Sequence, residues 1–341
     1  MSRRRRKTWI FLLGLCTVSL ATGAAVRLWA DWPRVALAPE IPTPTSSTPF
    51  EAQLFPPLPH TPLPSPPPPT PSPSPSISFS SLSPEESDTV AISISGVSAT
   101  GTARGTFASS NISFLRAANG RWVGLAGIDA KMAPGAYPLS LTLPDGAVRR
   151  ETVQVRARDY PVTELAVTDE LRKKGYTPPV IATNVAAENA RLAAALAGSP
   201  PRAYFDGPFV NPLDFMENVG EYGNIRVSGG VGLRHLGVDL TAKIGTPIHA
   251  INGGKVRFAE ELTNYGKTMV VDHGLGIFSL YLHLSEFLVA PGDVVARGAT
   301  IGRTGNTGYV LAPHLHFSMR LGPASIDPLR FLTAAAWAFE K

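Results

Sequence analysis

The chain has 341 residues, enough for about two folded domains at roughly 100–200 residues each. Its net charge is +5, from 31 Lys and Arg against 26 Asp and Glu, and the run Arg3, Arg4, Arg5, Arg6 and Lys7 supplies that whole excess. The rest is neutral, which excludes a nucleic-acid-binding body, and a single cysteine, Cys16, excludes a disulfide framework or a cysteine-based zinc cluster.

Residues 9–26 carry no charge and follow the basic run directly. As a helix they span about 27 Å, close to the ~30 Å hydrocarbon core of a bilayer. The basic flank marks the cytoplasmic side, so the remainder is expected outside the cytoplasmic membrane. Two readings of residues 1–32 stay open. They form a signal anchor, favoured because the apolar stretch exceeds the usual h-region of about 7–15 residues, or a signal peptide cut at small residues such as Gly23-Ala24-Ala25, which would leave the chain secreted. Leu15 before Cys16 argues against a lipoprotein. Residues 33–86 read as a Pro/Ser-rich disordered linker, with 16 prolines between Ile41 and Glu85. Such composition builds no core and favours extended polyproline II, a reach of about 140 Å at 3.1 Å per residue.

Residues 87–160 predict a small Ig-like β-sandwich. Strand patterns occupy 89–95, 112–115, 122–128, 137–143 and 148–155, with turn signals at Asn119-Gly120, Pro134-Gly135 and Asp145-Gly146. This stretch contains no histidine. Residues 161–202 predict a short helical connector. Thr168 is expected to cap one helix ending at Gly175, and Thr183 or Asn184 a second ending near Gly198. Residues 203–332 show glycine-punctuated strands at 246–251, 255–259, 268–272, 278–282, 300–304 and 314–320, the pattern of a compact antiparallel β domain. Residues 333–341 are left as a C-terminal tail. The fold class is therefore mainly β.

Six of the seven histidines fall between 235 and 316; His60 lies in the linker. His235 and Asp239, four apart, share a face of either a helix or a strand. In a strand, His314 and His316 point one way while Leu315 and Phe317 point into the core. Two histidines beside a third histidine and an aspartate suit a first-row metal, and catalytic zinc takes three protein ligands plus an open position. His273, in Asp272-His273-Gly274, reads as a packing residue at a hairpin, and His249 likewise. Ser285 lacks the acid partner and elbow glycines of a serine nucleophile.

These residues resemble the lysostaphin-type (LytM-like) zinc peptidases that cut peptidoglycan peptides. The resemblance covers about 100 residues. It rests on His235-Leu-Gly-Val-Asp239, Gly245-Thr-Pro247, Asp272-His-Gly274, Tyr281-Leu-His-Leu-Ser285, Gly302-Arg-Thr-Gly-Asn-Thr-Gly308 and Pro313-His-Leu-His-Phe317, in order and spacing. It implies that 203–332 is a zinc metallopeptidase domain in which His235, Asp239 and His316 ligate Zn²⁺, with His283 and His314 as the catalytic pair beside the metal. No H-E-x-x-H helix offers a glutamate base, so the two histidines must act on the water and the oxyanion. The implied function is an exported endopeptidase acting on peptidoglycan stems or cross-bridges. A catalytically inactive wall-binding or amidase-regulating protein on the same fold is the alternative, although such relatives lose zinc ligands and this chain keeps all the expected residues. One departure concerns the groove: family members often carry Phe-Gly-x-Arg upstream of the first ligand, and the comparable place here reads Asn218-Val-Gly-Glu-Tyr222.

Overall fold

The computed structural model describes residues 74–340 except 99, 165, 166, 229 and 230. The anchor or signal segment, Cys16, His60 and most of the proline linker lie outside the described residues. Among the described residues no helix is long and apolar enough to cross a membrane.

The architecture is mainly β, with antiparallel pairing throughout except where noted. The first part comprises β1 (Ser76–Phe79), β2 (Thr89–Ser95), β3 (Arg104–Phe107), β4 (Ser110–Arg116), β5 (Trp122–Gly127), β6 (Gly135–Thr142) and β7 (Val148–Val155), in the order β1-β2-β5-β4-β3-β6-β7. Strand alternation explains how this path encloses a core. Val90, Ile92 and Ile94 of β2 meet Phe107, Leu139, Leu141 and Val153 from the other half. The intervening residues Ala91, Val123 and Leu125 point the opposite way and join the core of the C-terminal domain. The sandwich is thus buried on one outer face, which is why both faces of β2 are buried.

β1 corrects the linker boundary. Residues 76–79 fall inside the stretch assigned to the linker, yet they pair with β2, and Ile77 and Phe79 pack on the sandwich core. Serine and proline enrichment masked a short alternating strand.

The connector holds β8 (Val162–Glu164), α1 (Asp169–Lys173) and α2 (Pro178–Ala195). Thr168 caps α1 as expected, accepting from Leu171 N at 3.3 Å. The second cap was misplaced: α2 starts after Thr177 with prolines at its first positions, where a missing N–H and a preset φ are tolerated. Thr183 lies inside the helix and donates to the Pro179 carbonyl. Buried Glu188 pins α2 to the C-terminal domain by accepting from Asn264 N at 2.7 Å and Tyr265 N at 3.1 Å.

The C-terminal part comprises β9 (Asn218–Gly220), β10 (Ile225–Ser228), β11 (Val231–Arg234), β12 (Val238–Thr241), β13 (Pro247–His249), β14 (Gly254–Leu262), β15 (Gly266–Gly274), β16 (Ile277–Phe287), β17 (Val294–Val295), β18 (Thr300–Thr304), β19 (His314–Leu321), β20 (Ala324–Ile326) and α3 (Pro328–Glu340). Its main sheet runs β17-β14-β15-β16-β19-β12-β9, with β18 and β13 continuing from β16 and β20 pairing with β19. A small sheet, β11-β10-β8, uses the connector strand β8 parallel to β10. One face of the main sheet buries Tyr281, Leu315, Phe317 and Met319; the other carries Phe278, Leu280 and Leu282 against Leu192 of α2.

α3 corrects the assignment of 333–341 as a tail. Asp327 accepts from Leu329 N at 3.0 Å, Pro328 opens the helix, and Phe331, Ala334, Ala335 and Ala338 are buried at helical spacing. Small alanines let the helix lie close to the sheet, a pattern easily read as bland composition.

Candidate metal centre

β12 and β19 are neighbours, and their register sets Asp239 opposite His316. His235 enters from the segment just before β12, and β16 lies on the other side of β19 with Leu282 opposite His316. His235 Nε2, Asp239 Oδ1 and His316 Nδ1 form a triangle with each edge 2.9 Å. His235 and Asp239 are buried, at 7% and 6% exposure. Two glycines make the approach possible. A side chain on Gly237 would run into His316 Nε2 and Ser318 Oγ, and one on Gly220 would run into the Asp239 carboxylate.

Carbonyl oxygens only accept, so they fix the tautomers of the rings that face them. His235 Nδ1 lies 2.9 Å from the Glu221 carbonyl and therefore carries the proton, leaving a lone pair on Nε2. Ser318 Oγ donates to the Leu236 carbonyl at 2.7 Å and so accepts from His316 Nε2 at 2.9 Å, leaving a lone pair on His316 Nδ1. Two nitrogen lone pairs and a carboxylate oxygen thus face one another with no proton assigned between them. That arrangement is repulsive by itself and fits a cation. Two imidazoles and one carboxylate suit zinc, with the further position of a catalytic site left to water or substrate.

The electrostatics agree. Burial, with repulsion from His235 and His314, outweighs the pull of Asp239 and lowers His316 to about 4, so its ring is neutral at pH 7. Burial opposes the charge on Asp239, and only a positive charge or proton between it and the His235 and His316 rings brings the carboxyl below the usual carboxylate range, the place that a cation would take. The second carboxylate oxygen, Oδ2, receives Arg226 Nη2 at 2.6 Å. Arg226 on β10 therefore holds the carboxylate rotated so that Oδ1 faces the histidines.

His283 and His314 stand beside this triangle. Their ring centroids are 5.0 Å apart, and His283 is 6.0 Å from His316. His283 has φ of +65°, a left-handed conformation uncommon outside glycine, at an irregularity in β16 that aims its ring toward the cleft. Its Nδ1 donates to the Thr307 carbonyl at 2.9 Å, and His314 Nδ1 donates to the Ala312 carbonyl at 2.8 Å. Each ring is left with a basic Nε2; that of His314 lies 3.4 Å from Asp239 Oδ1. Burial, reinforced by His314 and His316, drives His283 well below the ordinary histidine value and keeps it uncharged.

All five residues singled out from the sequence therefore converge on one cleft, with a volume of about 610 Å³, roofed in part by Ile181 and Val185 of α2. His273 lies elsewhere, fully buried, and His249 sits 3.2 Å from Asp214 outside the cleft lining. Sequence reasoning missed Arg226, Ser318 and the Glu221 carbonyl. Ser318 had a signal, since it follows His316 by two on the same strand face.

Residues 233–328 match the family described as Peptidase family M23. The chain is 41% identical over 85 residues to the peptidoglycan DD-endopeptidase ShyA of Vibrio cholerae, covering 25% of this chain and 20% of that protein. It is 40% identical over 118 residues to the glycyl-glycine endopeptidase ALE-1 of Staphylococcus capitis, covering 33% of this chain and 32% of that one. The chain thus spans between a fifth and a third of these relatives' length. Among solved structures, the catalytic domain of lysostaphin from Staphylococcus simulans aligns with 34% identity and a TM-score of 0.32, over 35% of this chain and 92% of that one. The segment 233–328 is a lysostaphin-type M23 metallopeptidase domain, and Zn²⁺ is the metal its His-Asp-His set suits.

Proposed function

We propose that this chain is an exported zinc endopeptidase that hydrolyses peptide bonds in bacterial peptidoglycan, held at the outer side of the cytoplasmic membrane by residues 9–26. The observation that carries the enzymatic reading is the set of inward lone pairs at His235, Asp239 and His316, with two further basic nitrogens, on His283 and His314, aimed into the same cleft.

In this reading His235, Asp239 and His316 hold the zinc. When bound, the metal polarises the scissile carbonyl and lowers the pKa of a coordinated water. The chain's own residues do the rest. Arg226 fixes the rotation of the Asp239 carboxylate. His283 and His314 each keep a proton on Nδ1, so that Nε2 of one can take the proton of the attacking water. The ring that gains it then donates to the oxyanion or to the leaving amine. Peptidoglycan as substrate is supported by the named activities of ShyA and ALE-1. An inactive wall-binding role finds no support in a centre that retains every ligand and both flanking histidines.

The test is digestion of purified peptidoglycan by the full chain, followed by mass spectrometry of the soluble fragments. New peptide amines, lost on chelation and restored by zinc, are expected. Undigested peptidoglycan with a full complement of zinc would overturn the proposal. Export is checked separately, by the protease accessibility of the folded part in intact spheroplasts.

A further inference from the structure

The cleft contains a cation that the metal chemistry leaves idle. Along β19 the side chains of His314, His316, Ser318 and Arg320 line the cleft, while Leu315, Phe317 and Met319 point into the core. Arg320 is four residues beyond His316, about 13 Å along the strand at roughly 3.3 Å per residue.

Among the described residues three arginines line this cleft, and their partners differ. Arg226 is paired with Asp239. Arg234 donates to the Ala130 carbonyl at 2.6 Å and lies over the Tyr160 ring at 4.7 Å. Among the described residues the direct partners of Arg320 are neutral: Nη1 donates to Ser325 Oγ at 2.6 Å and to the Met319 carbonyl at 3.3 Å. Asp129 favours its charge without a hydrogen bond to it among the described residues, and Asp129 Oδ2 accepts from Ser325 N at 2.8 Å. Of the acidic side chains lining the cleft, Asp239 serves the metal centre and Glu221 is exposed. Burial pushes the Arg320 guanidinium down from its ordinary value.

A guanidinium partly withdrawn from water, with neutral direct acceptors, gains more from an added carboxylate than one in bulk solvent. The apolar lining strengthens any ion pair made there, since Ile181 and Val185 of α2 and Leu280 and Leu282 of the neighbouring strand β16 lower the local dielectric. Arg320 retains donors for the fork geometry that a carboxylate accepts.

We propose that Arg320 is a substrate-binding residue that takes a free carboxylate of the peptide, three to four extended residues from the scissile bond. It makes the cleft selective for acidic over amidated peptides. This rests on reading the cleft as a peptidase active site.

The experiment uses the zinc-loaded full chain and soluble disaccharide-peptide fragments of peptidoglycan, native or with their carboxylates converted to carboxamides. Binding is measured by calorimetry in a His283→Ala background, where turnover is slowed, and hydrolysis is measured in the unaltered chain. Amidation is expected to weaken binding by tenfold or more. Arg320→Gln should weaken binding of the native fragment by a similar factor and abolish the discrimination, with zinc content unchanged; Arg320→Lys should restore part of it. Equal binding of native and amidated fragments by the Arg320 chain would overturn the proposal, even if Arg320→Gln fails to fold. So would discrimination that survives in Arg320→Gln. Discriminating binding without any hydrolysis would sink the peptidase reading and leave Arg320 only as a carboxylate-binding residue of the cleft. Hydrolysis with equal KM for both fragments would do the reverse.

Discussion

His273 and His283 lie on the paired strands β15 and β16, and both are buried, yet their rings are placed in opposite ways. At His273 the protein closes both nitrogens: Nδ1 faces the Gly253 carbonyl and Nε2 faces Ser279 Oγ, each at 2.8 Å. At His283, as at His235, His314 and His316, one nitrogen is tied to the protein and the other is turned into the cleft. Burial alone therefore does not separate a packing histidine from a chemical one. In this pair the number of ring nitrogens that the fold itself satisfies does.

That contrast is sharpest in metal content. Replacing His235 or His316 by Ala removes one corner of the donor triangle. Zinc is expected to fall from about one per chain to near zero, and hydrolysis to background. Replacing His283 or His314 by Ala should leave zinc in place and lower kcat by about 10²–10⁴-fold, the range of general acid–base assistance. Metal analysis after dialysis, alongside peptidoglycan digestion, checks both. Loss of zinc in His314→Ala with retention in His316→Ala would reverse the two roles.

The sequence made this centre legible because its ligands come from short local patterns. His235 and Asp239 are four apart, His314 and His316 two apart, and strand alternation then does the placing. The strands at 89–95, 148–155 and 300–304 were also readable to the residue, since alternation and turn residues agree there. What stayed hidden depends on contacts distant in sequence. Arg226 meets Asp239 only because β8 and β11 hold β10 beside the cleft. Gly237 and Gly220 look like ordinary turn glycines until the His316 ring and the Asp239 carboxylate fill the space beside them. α3 and β1 were missed because alanine and serine carry weak pattern signals, although tertiary burial fixes both elements.

The closed histidine predicts a pH effect on stability rather than on chemistry. Burial lowers His273 from 6.5 to about 4, against smaller opposing contributions from the Gly253 carbonyl and Asp272. Between those values the unfolded chain binds a proton there and the folded chain does not, so stability rises with pH across this window. The contribution is fully present above about pH 6.5 and is lost as pH falls toward 4. It amounts to about 3 kcal/mol at 1.36 kcal/mol per unit. Denaturant unfolding of the full chain and of His273→Gln from pH 4 to 7.5 should give a difference that grows with pH and levels off near 7. Parallel curves would remove His273 from the account.

The smallest effect is expected at Ser318, and it tests the link between tautomer and metal. Ser318 Oγ accepts from His316 Nε2 and donates to the Leu236 carbonyl, so the hydroxyl dictates which His316 nitrogen is bare. Ser318→Ala leaves the Nε2 proton without its acceptor, and the ring is then free to move that proton to Nδ1, where it would face the metal position. Loss of such an orienting partner typically lowers metal affinity by about 10–100-fold. Zinc competition titrations should show this weakening, while unfolding of the chelated protein shifts by no more than the roughly 0.5–1.5 kcal/mol of one hydrogen bond. A variant with unaltered zinc affinity would mean that the His316 tautomer is held by the ring's packing against Gly237 rather than by the serine.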